Sequence, residues 1–170
     1  MSKPQSQGQP QSVAGLPPAQ CSANSLRALS LWQPWASAMA SGVKQMETRS
    51  WPTSYRGDLV ICSAKRKPKP EEMPADVPFK FAVALPYGYA LCVVELYDCH
   101  TVEWIVRQRG FTEAERDWGD YTPGIGRYAW LTRNCRRLQN PVPIVGRQGL
   151  WTLPPETLAM IQENLPNIRI

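Results

Sequence analysis

A single histidine, His100, serves the whole chain of 170 residues. A Ser-His-Asp or Cys-His centre would have to be built on it, and no nucleophile motif lies nearby. His100 therefore reads as a satisfied or exposed side chain. The five cysteines, Cys21, Cys62, Cys92, Cys99 and Cys135, form no CxxC pair, and their number is odd. That argues against a disulfide framework and a zinc ribbon, and no metal ligand set is expected. Cys62 and Cys92 sit in apolar runs and read as small core hydrophobes. No run of 18 apolar residues is present, so no membrane span is expected. The opening MSKPQSQGQPQSVAGLPPAQ has no continuous apolar stretch of the kind a secretory signal needs. A reducing, cytoplasmic location is the expectation. No GxGxxG occurs and no cofactor is called for.

What is present suits one domain. Apolar residues make up 43% and charged residues 19% of the chain, the balance of a globular protein with a real core. Residues 1 to about 25 are rich in Gln, Pro, Ser and Gly and are read as a disordered tail; the domain is placed at 26–170. Formal net charge is +5, which favours a polyanionic partner. The cations are grouped. Lys65, Arg66, Lys67 and Lys69 form one run, and Arg133, Arg136, Arg137 and Arg147 another, while acids gather between Glu103 and Asp120. Two basic clusters on a small domain point toward nucleic acid; solvated loops are the plainer reading.

Hydrophobic periodicity and turn residues divide the chain as follows. Strands are expected at 27–31, 58–64, 87–99 and from 127, with a short edge strand, a Gly turn and another strand within 140–153. Short helices are expected at 33–42, 79–85, 101–110 and 154–165. Gly42 suits the residue just past a helix end. In 101–110, Val102, Ile105 and Val106 would share one face, and 112–124 reads as polar and turn-rich. About six strands with short helices between them, in no regular βαβ alternation, indicate an α+β fold with a small closed or nearly closed mixed barrel.

The stretch 42-GVKQMETRSW-51 concentrates the polar chemistry. In a strand starting near Gln45, Glu47 and Arg49 lie on one face, and Lys44 joins them from the helix exit. An ammonium, a carboxylate and a guanidinium would then meet at one spot. That set can hold a polar ligand, with Glu47 accepting from a base amino group and Lys44 or Arg49 binding phosphate. It can also do acid–base chemistry, with Lys44 as base and Glu47 relaying protons. From spacing alone, an internal ion-pair network tying the helix exit to the strand is the stronger reading. Trp32, Trp35 and Trp51 surround the string, and aromatics beside cations suit base stacking; core packing is the alternative for each, and the stronger one for Trp35.

The run 29-LSLWQPWASAMASGVKQMETRSWPTSYRGDLVICSAK-65 resembles the ASCH domain family of the PUA-like superfamily, in the order QPWA, GxKxxExRxW, YRG, apolar strand and lysine. Downstream, 126-GRYAWLTRNCRRLQNPVPIVGRQGLW-151 is similar to that family's closing pattern. The resemblance implies a PUA-like β-barrel with peripheral helices and a cleft beside the first helix. It implies ligand-binding roles for Gly42, Lys44, Glu47 and Arg49, extended here to Trp51, Arg56 and Lys65, with Arg66, Lys67, Arg133, Arg136 and Arg137 as basic surface. It implies binding of RNA or other nucleic acid, and no cofactor. Some bacterial members are hydrolases of RNA or of acetylated cytidine, which would make Lys44 and Glu47 catalytic. Two departures bear on that. Cys62 stands where many members carry His, and Glu47 stands where the acetylcytidine hydrolases have Thr. No motif assigns a general acid, with Glu95 and Asp120 the candidates. A protein-docking module, marked by a large exposed apolar patch, is a third reading.

Overall fold

A computed structural model describes residues 26–74 and 77–166; the tail read at 1 to about 25 lies outside them. Six strands form one mixed sheet: β1 (Arg27–Leu31), β2 (Met46–Arg49), β3 (Gly57–Ser63), β4 (Tyr89–Thr101), β5 (Tyr128–Pro143) and β6 (Leu150–Thr152). The helices are short: α1 (Trp35–Ala40), α2 (Phe79–Val83), α3 (Val102–Trp104), α4 (Glu113–Arg116) and α5 (Pro155–Asn164). Among the described residues no helix is long and apolar enough to cross a membrane.

Strand order is β2-β5-β4-β3-β1-β6. β1 runs parallel to β3, Arg27 opposite Leu59, and every other pairing is antiparallel. The sheet curls into a half-barrel, and its end strands β2 and β6 do not pair with each other. The closed or nearly closed barrel expected from the strand count is thus open on one side. The curl follows from β4 and β5, whose register shifts at three places, Ala90/Cys92, Val93/Glu95 and Leu96/Asp98; each bulge bends its strand and increases the local twist.

β3 shows why the sheet is covered on both faces. Leu59 and Ile61 pack with Leu29, Met39 and Trp130 on the side that holds α1. Val60 and Cys62 pack with Val93, Val142, Trp151 and Ile161 on the side that holds α5. The period-2 alternation of a strand sends neighbouring apolar residues to opposite cores. Burial pushes the Cys62 thiol up to about 12, the behaviour of a core hydrophobe. A third cluster, Met46, Val102, Ile105, Tyr121, Ala129 and Leu131, sits where β2 meets β5.

Two local expectations change. The short strand read near 140 is the end of β5, running without a break from Tyr128. Pro141 and Pro143 are tolerated there because only β4 pairs with that half of the strand. Val106 does not share the face of Val102 and Ile105; it is 41% exposed. Helix α3 widens into a π turn over Ile105–Arg109, closed by Gly110 N donating to Ile105 O at 2.7 Å. The wider turn carries Val106 out to solvent.

Candidate functional site

The polar string begins where α1 ends. The Gln33 side chain is fully buried and holds the helix from both directions: Oε1 accepts from Ser37 N at 3.1 Å, and Nε2 donates to Pro86 O at 2.8 Å. Gly42 leaves the helix at φ +78, its N–H donating to Met39 O at 3.0 Å. That left-handed conformation favours glycine. The turn delivers Lys44 into the interior, 2% exposed.

Lys44 Nζ donates to Met46 O at 2.5 Å and to Trp118 O at 2.7 Å, and lies 3.3 Å from Glu47 Oε2. Two of the ammonium's three donors are taken by these carbonyls, and the Glu47 contact is an ion pair without hydrogen-bond alignment. Lys44 is therefore placed to tether the helix exit to β2 and to the loop that holds Trp118. Glu47 continues the chain of charge, its Oε1 3.2 Å from Arg49 Nε. Arg49 Nη2 reaches back to Ser30 O at 3.3 Å. Lys44, Glu47 and Arg49 are thus both an ion-pair network and three walls of one cavity.

Sequence reading missed the counterpart of that tether. Glu115, 4% exposed, accepts from Gln45 N at 2.6 Å, Met46 N at 3.1 Å and Tyr121 Oη at 2.6 Å. Burial first, then the Glu115 charge, holds the Tyr121 hydroxyl far above its usual pKa. Helix α4 positions Glu115: Thr112 Oγ1 accepts from Glu115 N at 3.1 Å. The Thr-x-x-Glu spacing was a visible signal of a helix start. Its carboxylate, however, serves partners 69 and 70 residues away in sequence.

The cavity holds about 680 Å³, within the range of small-molecule sites. Its walls are the end of β1 with Ser30, the indoles of Trp32 and Trp35, strand β2, residues 72–74, the 117–120 loop and Arg127. Trp32 is 47% exposed with the Arg66 guanidinium 4.1 Å above its ring, and Arg66 Nη2 bonds Glu72 Oε1 at 2.5 Å. Arg49 Nε and Arg127 Nε are shielded from solvent and have no hydrogen-bond partner among the described residues; the Arg49 contact to Glu47 is an ion pair without hydrogen-bond alignment. The formal charges are Lys44, Arg49 and Arg127 against Glu47, Glu72, Asp117 and Asp120. The cavity is polar, and carboxylates outnumber cations.

The remaining candidates lie elsewhere. Gly42 shapes the turn and lines no wall of the cavity. Trp51 is not a stacking wall: its ring meets Trp130 edge-on, centroids 4.6 Å apart, and its carbonyl accepts from Trp130 Nε1 at 3.2 Å. Arg56 donates to Thr53 O, Tyr55 O and Asp98 Oδ1, holding the loop before β3. Lys65 lines a separate cavity near α5, and Lys67 lies 5.9 Å from the Tyr87 ring. Of the second basic cluster, Arg133 forks onto Glu95 at 2.9 and 2.6 Å and Arg136 pairs with Asp58. Arg137 lines a groove with Leu138 and Phe81. Glu95 is committed to Arg133 outside the first cavity, whereas Asp120 lines it. The pairing of Arg133 and Arg136 reflects acids brought from distant strands, which their run in sequence does not show, whereas Arg66 meets Glu72 within the same loop.

A family model, the ASCH domain, matches residues 29–141. Activating signal cointegrator 1 of Homo sapiens is 31% identical over 136 residues, covering 74% of this chain and 22% of that protein. The Mus musculus protein of the same name is 30% identical over 136 residues, with the same shares covered. The chain thus spans 22% of the length of these curated relatives. Among solved structures, ASCH from Zymomonas mobilis superposes with a TM-score of 0.51 at 18% identity, over 82% of this chain and 95% of that one. A point mutant of the same Zymomonas mobilis protein gives 0.53 at 17% identity, over 82% and 98%. At such identities the likeness concerns the fold.

Proposed function

The chain belongs to the ASCH domain family, and from that premise we propose that it binds RNA, taking one nucleobase into the cavity beside α1. The observation that carries this reading is the pairing of two indoles, Trp32 and Trp35, with the carboxylate of Glu47 and the donors of Arg49 and Arg127 around about 680 Å³. Bases stack on aromatic faces and are read along their polar edges. Glu47 is placed to accept from an exocyclic amino group. The Nε atoms of Arg49 and Arg127, without a hydrogen-bond partner among the described residues, add polar character to the walls. The surplus of carboxylates favours a neutral base over a phosphate in the cavity itself, so the strand's phosphates run outside it.

The test is a fluorescence titration of labelled single-stranded RNA against wild type, Trp32→Ala and Glu47→Gln at low and high salt. A stacked base is worth about 1–3 kcal/mol, so Trp32→Ala should weaken binding by about tenfold or more. Glu47→Gln should weaken oligomers whose bases carry amino groups more than oligo-uridine. Equal affinity of wild type and both variants, or no binding by wild type at low salt, would remove the cavity as an RNA site.

A further inference from the structure

A second cavity, of about 500 Å³, opens at the other end of the basic loop, between that loop, the β5–β6 connection and the start of α5. We propose that it is an anion site that takes a phosphate group. The inference does not depend on what the cavity beside α1 binds.

Four features converge. The first is helix α5, ten residues long, whose start contributes Pro154, Glu156 and Thr157 to the wall. The first N–H groups of a helix have no partner within it, and the dipole makes that end positive. Pro154 and Pro155 have no N–H, and no side chain caps the helix. The amides of Glu156 and Thr157 are the donors left over, the arrangement that binds phosphate at helix N-termini.

The second feature is independent of the helix. Trp151 lines the same cavity at 7% exposure, and its indole Nε1 is shielded from water with no acceptor among the described residues. A buried N–H without a partner forfeits the hydrogen bond it made to water in the unfolded chain, and an anion oxygen would satisfy it.

The third is charge. Lys65 and Arg147 line the cavity and appear in no ion pair among the described residues. Arg147 lies over the Trp151 ring at 5.8 Å. The one carboxylate in the wall, Glu156, is exposed and free to turn outward. Cations thus outnumber acids here, the reverse of the cavity beside α1.

The fourth is a built floor. Gly88 has φ +79, and a Cβ on it would fall 2.8 Å from Lys65 Cγ. The lysine stem lies directly on the backbone there. Gly88 N donates to Ser63 O at 3.0 Å and Gly88 O accepts from Ile144 N at 2.8 Å, so the floor is tied to the sheet from both sides.

The experiment is an amide and indole NMR titration of the full chain. Probes are inorganic phosphate, uridine 5′-monophosphate, uridine, a short oligonucleotide lacking a terminal phosphate, and sodium chloride matched for ionic strength. The Trp151 indole N–H and the Glu156 and Thr157 amides should shift together with a phosphate-bearing probe, and stay still with uridine and chloride. Saturation by the two monophosphates at lower concentration than the oligonucleotide identifies a terminal or free phosphate as ligand; the reverse order identifies a strand phosphodiester. Lys65→Ala/Arg147→Ala, two exposed positions, should weaken binding at least tenfold. Arg49→Ala, in the other cavity, should leave these three signals and their midpoint unchanged, so the two sites fail separately. Immobile signals with every phosphate probe, equal shifts with chloride, or an unchanged midpoint in the double variant would overturn the proposal.

Discussion

Lys44→Met removes an ammonium and leaves a chain of similar length in the same slot. The lysine is 2% exposed and serves two carbonyls and one carboxylate. Removing one partner of a buried ion pair costs about 3–5 kcal/mol, because the other charge is left uncompensated. Glu47 keeps Arg49 at 3.2 Å, which holds the loss toward the lower end. The carbonyls of Met46 and Trp118 each lose a hydrogen bond worth about 1 kcal/mol, and the thioether's better burial offsets part of that. A net loss of about 3–4 kcal/mol follows from these magnitudes. With a urea slope of about 2 kcal/mol/M, the unfolding midpoint should fall by about 1.5–2 M. The control is Lys44→Met/Glu47→Gln, which neutralises the stranded carboxylate. It should recover about 1–2 kcal/mol as positive coupling. The assay is equilibrium urea unfolding followed by tryptophan fluorescence. A loss below about 1 kcal/mol, or strictly additive variants, would refute the view that Lys44 is a tether whose worth lies in its three acceptors.

Glu115→Ala should cost about 3 kcal/mol through two unpaired amides and the Tyr121 hydroxyl, and hydrogen exchange should speed up at Gln45 and Met46; protection unchanged at those two amides would refute the clamp. Gly42→Ala meets no atom within 4 Å, so its cost is the left-handed backbone alone, about 1–2 kcal/mol, readable as a lowered thermal midpoint with an unchanged NMR spectrum away from the turn. Of the described cysteines, Cys135 is exposed while Cys62 and Cys92 are buried, and a hydrogen bond with Cys92 lowers the Cys135 thiol. Iodoacetamide at neutral pH should therefore alkylate Cys135 and spare Cys62 and Cys92 in peptide mass maps; early labelling of Cys62 would contradict the packing of β3.

The parts of the molecule that were legible in sequence are those fixed by near neighbours. The helix exit at Gly42, the alternation along β3 and the shared face of Glu47 and Arg49 each depend on spacings of a few residues. The closing of the GVKQMETR string around a ligand-sized space does not. Its far wall is the 117–120 loop, anchored by Glu115 from behind, in a segment that reads as a polar turn because its one buried carboxylate looks like any other acid. Trp51 misled for the related reason that an indole beside cations and an indole beside another indole have the same letters around them. Barrel closure was over-read because strand number says nothing of the three bulges that curl β4 and β5 while leaving β2 and β6 apart.

The two long walls of the cavity beside α1 differ in how they are fastened. The 117–120 side is sewn down through buried bonds from Lys44 and Glu115. The 72–74 side is held by the surface pair Arg66–Glu72, and exposed ion pairs contribute about 0–1 kcal/mol. Recognition on the first side is therefore preorganised, and a ligand meets no ordering entropy there. Access kinetics fall to the second: salt that loosens Arg66 from Glu72 should speed both entry and escape, changing residence time more than the shape that the ligand is asked to match.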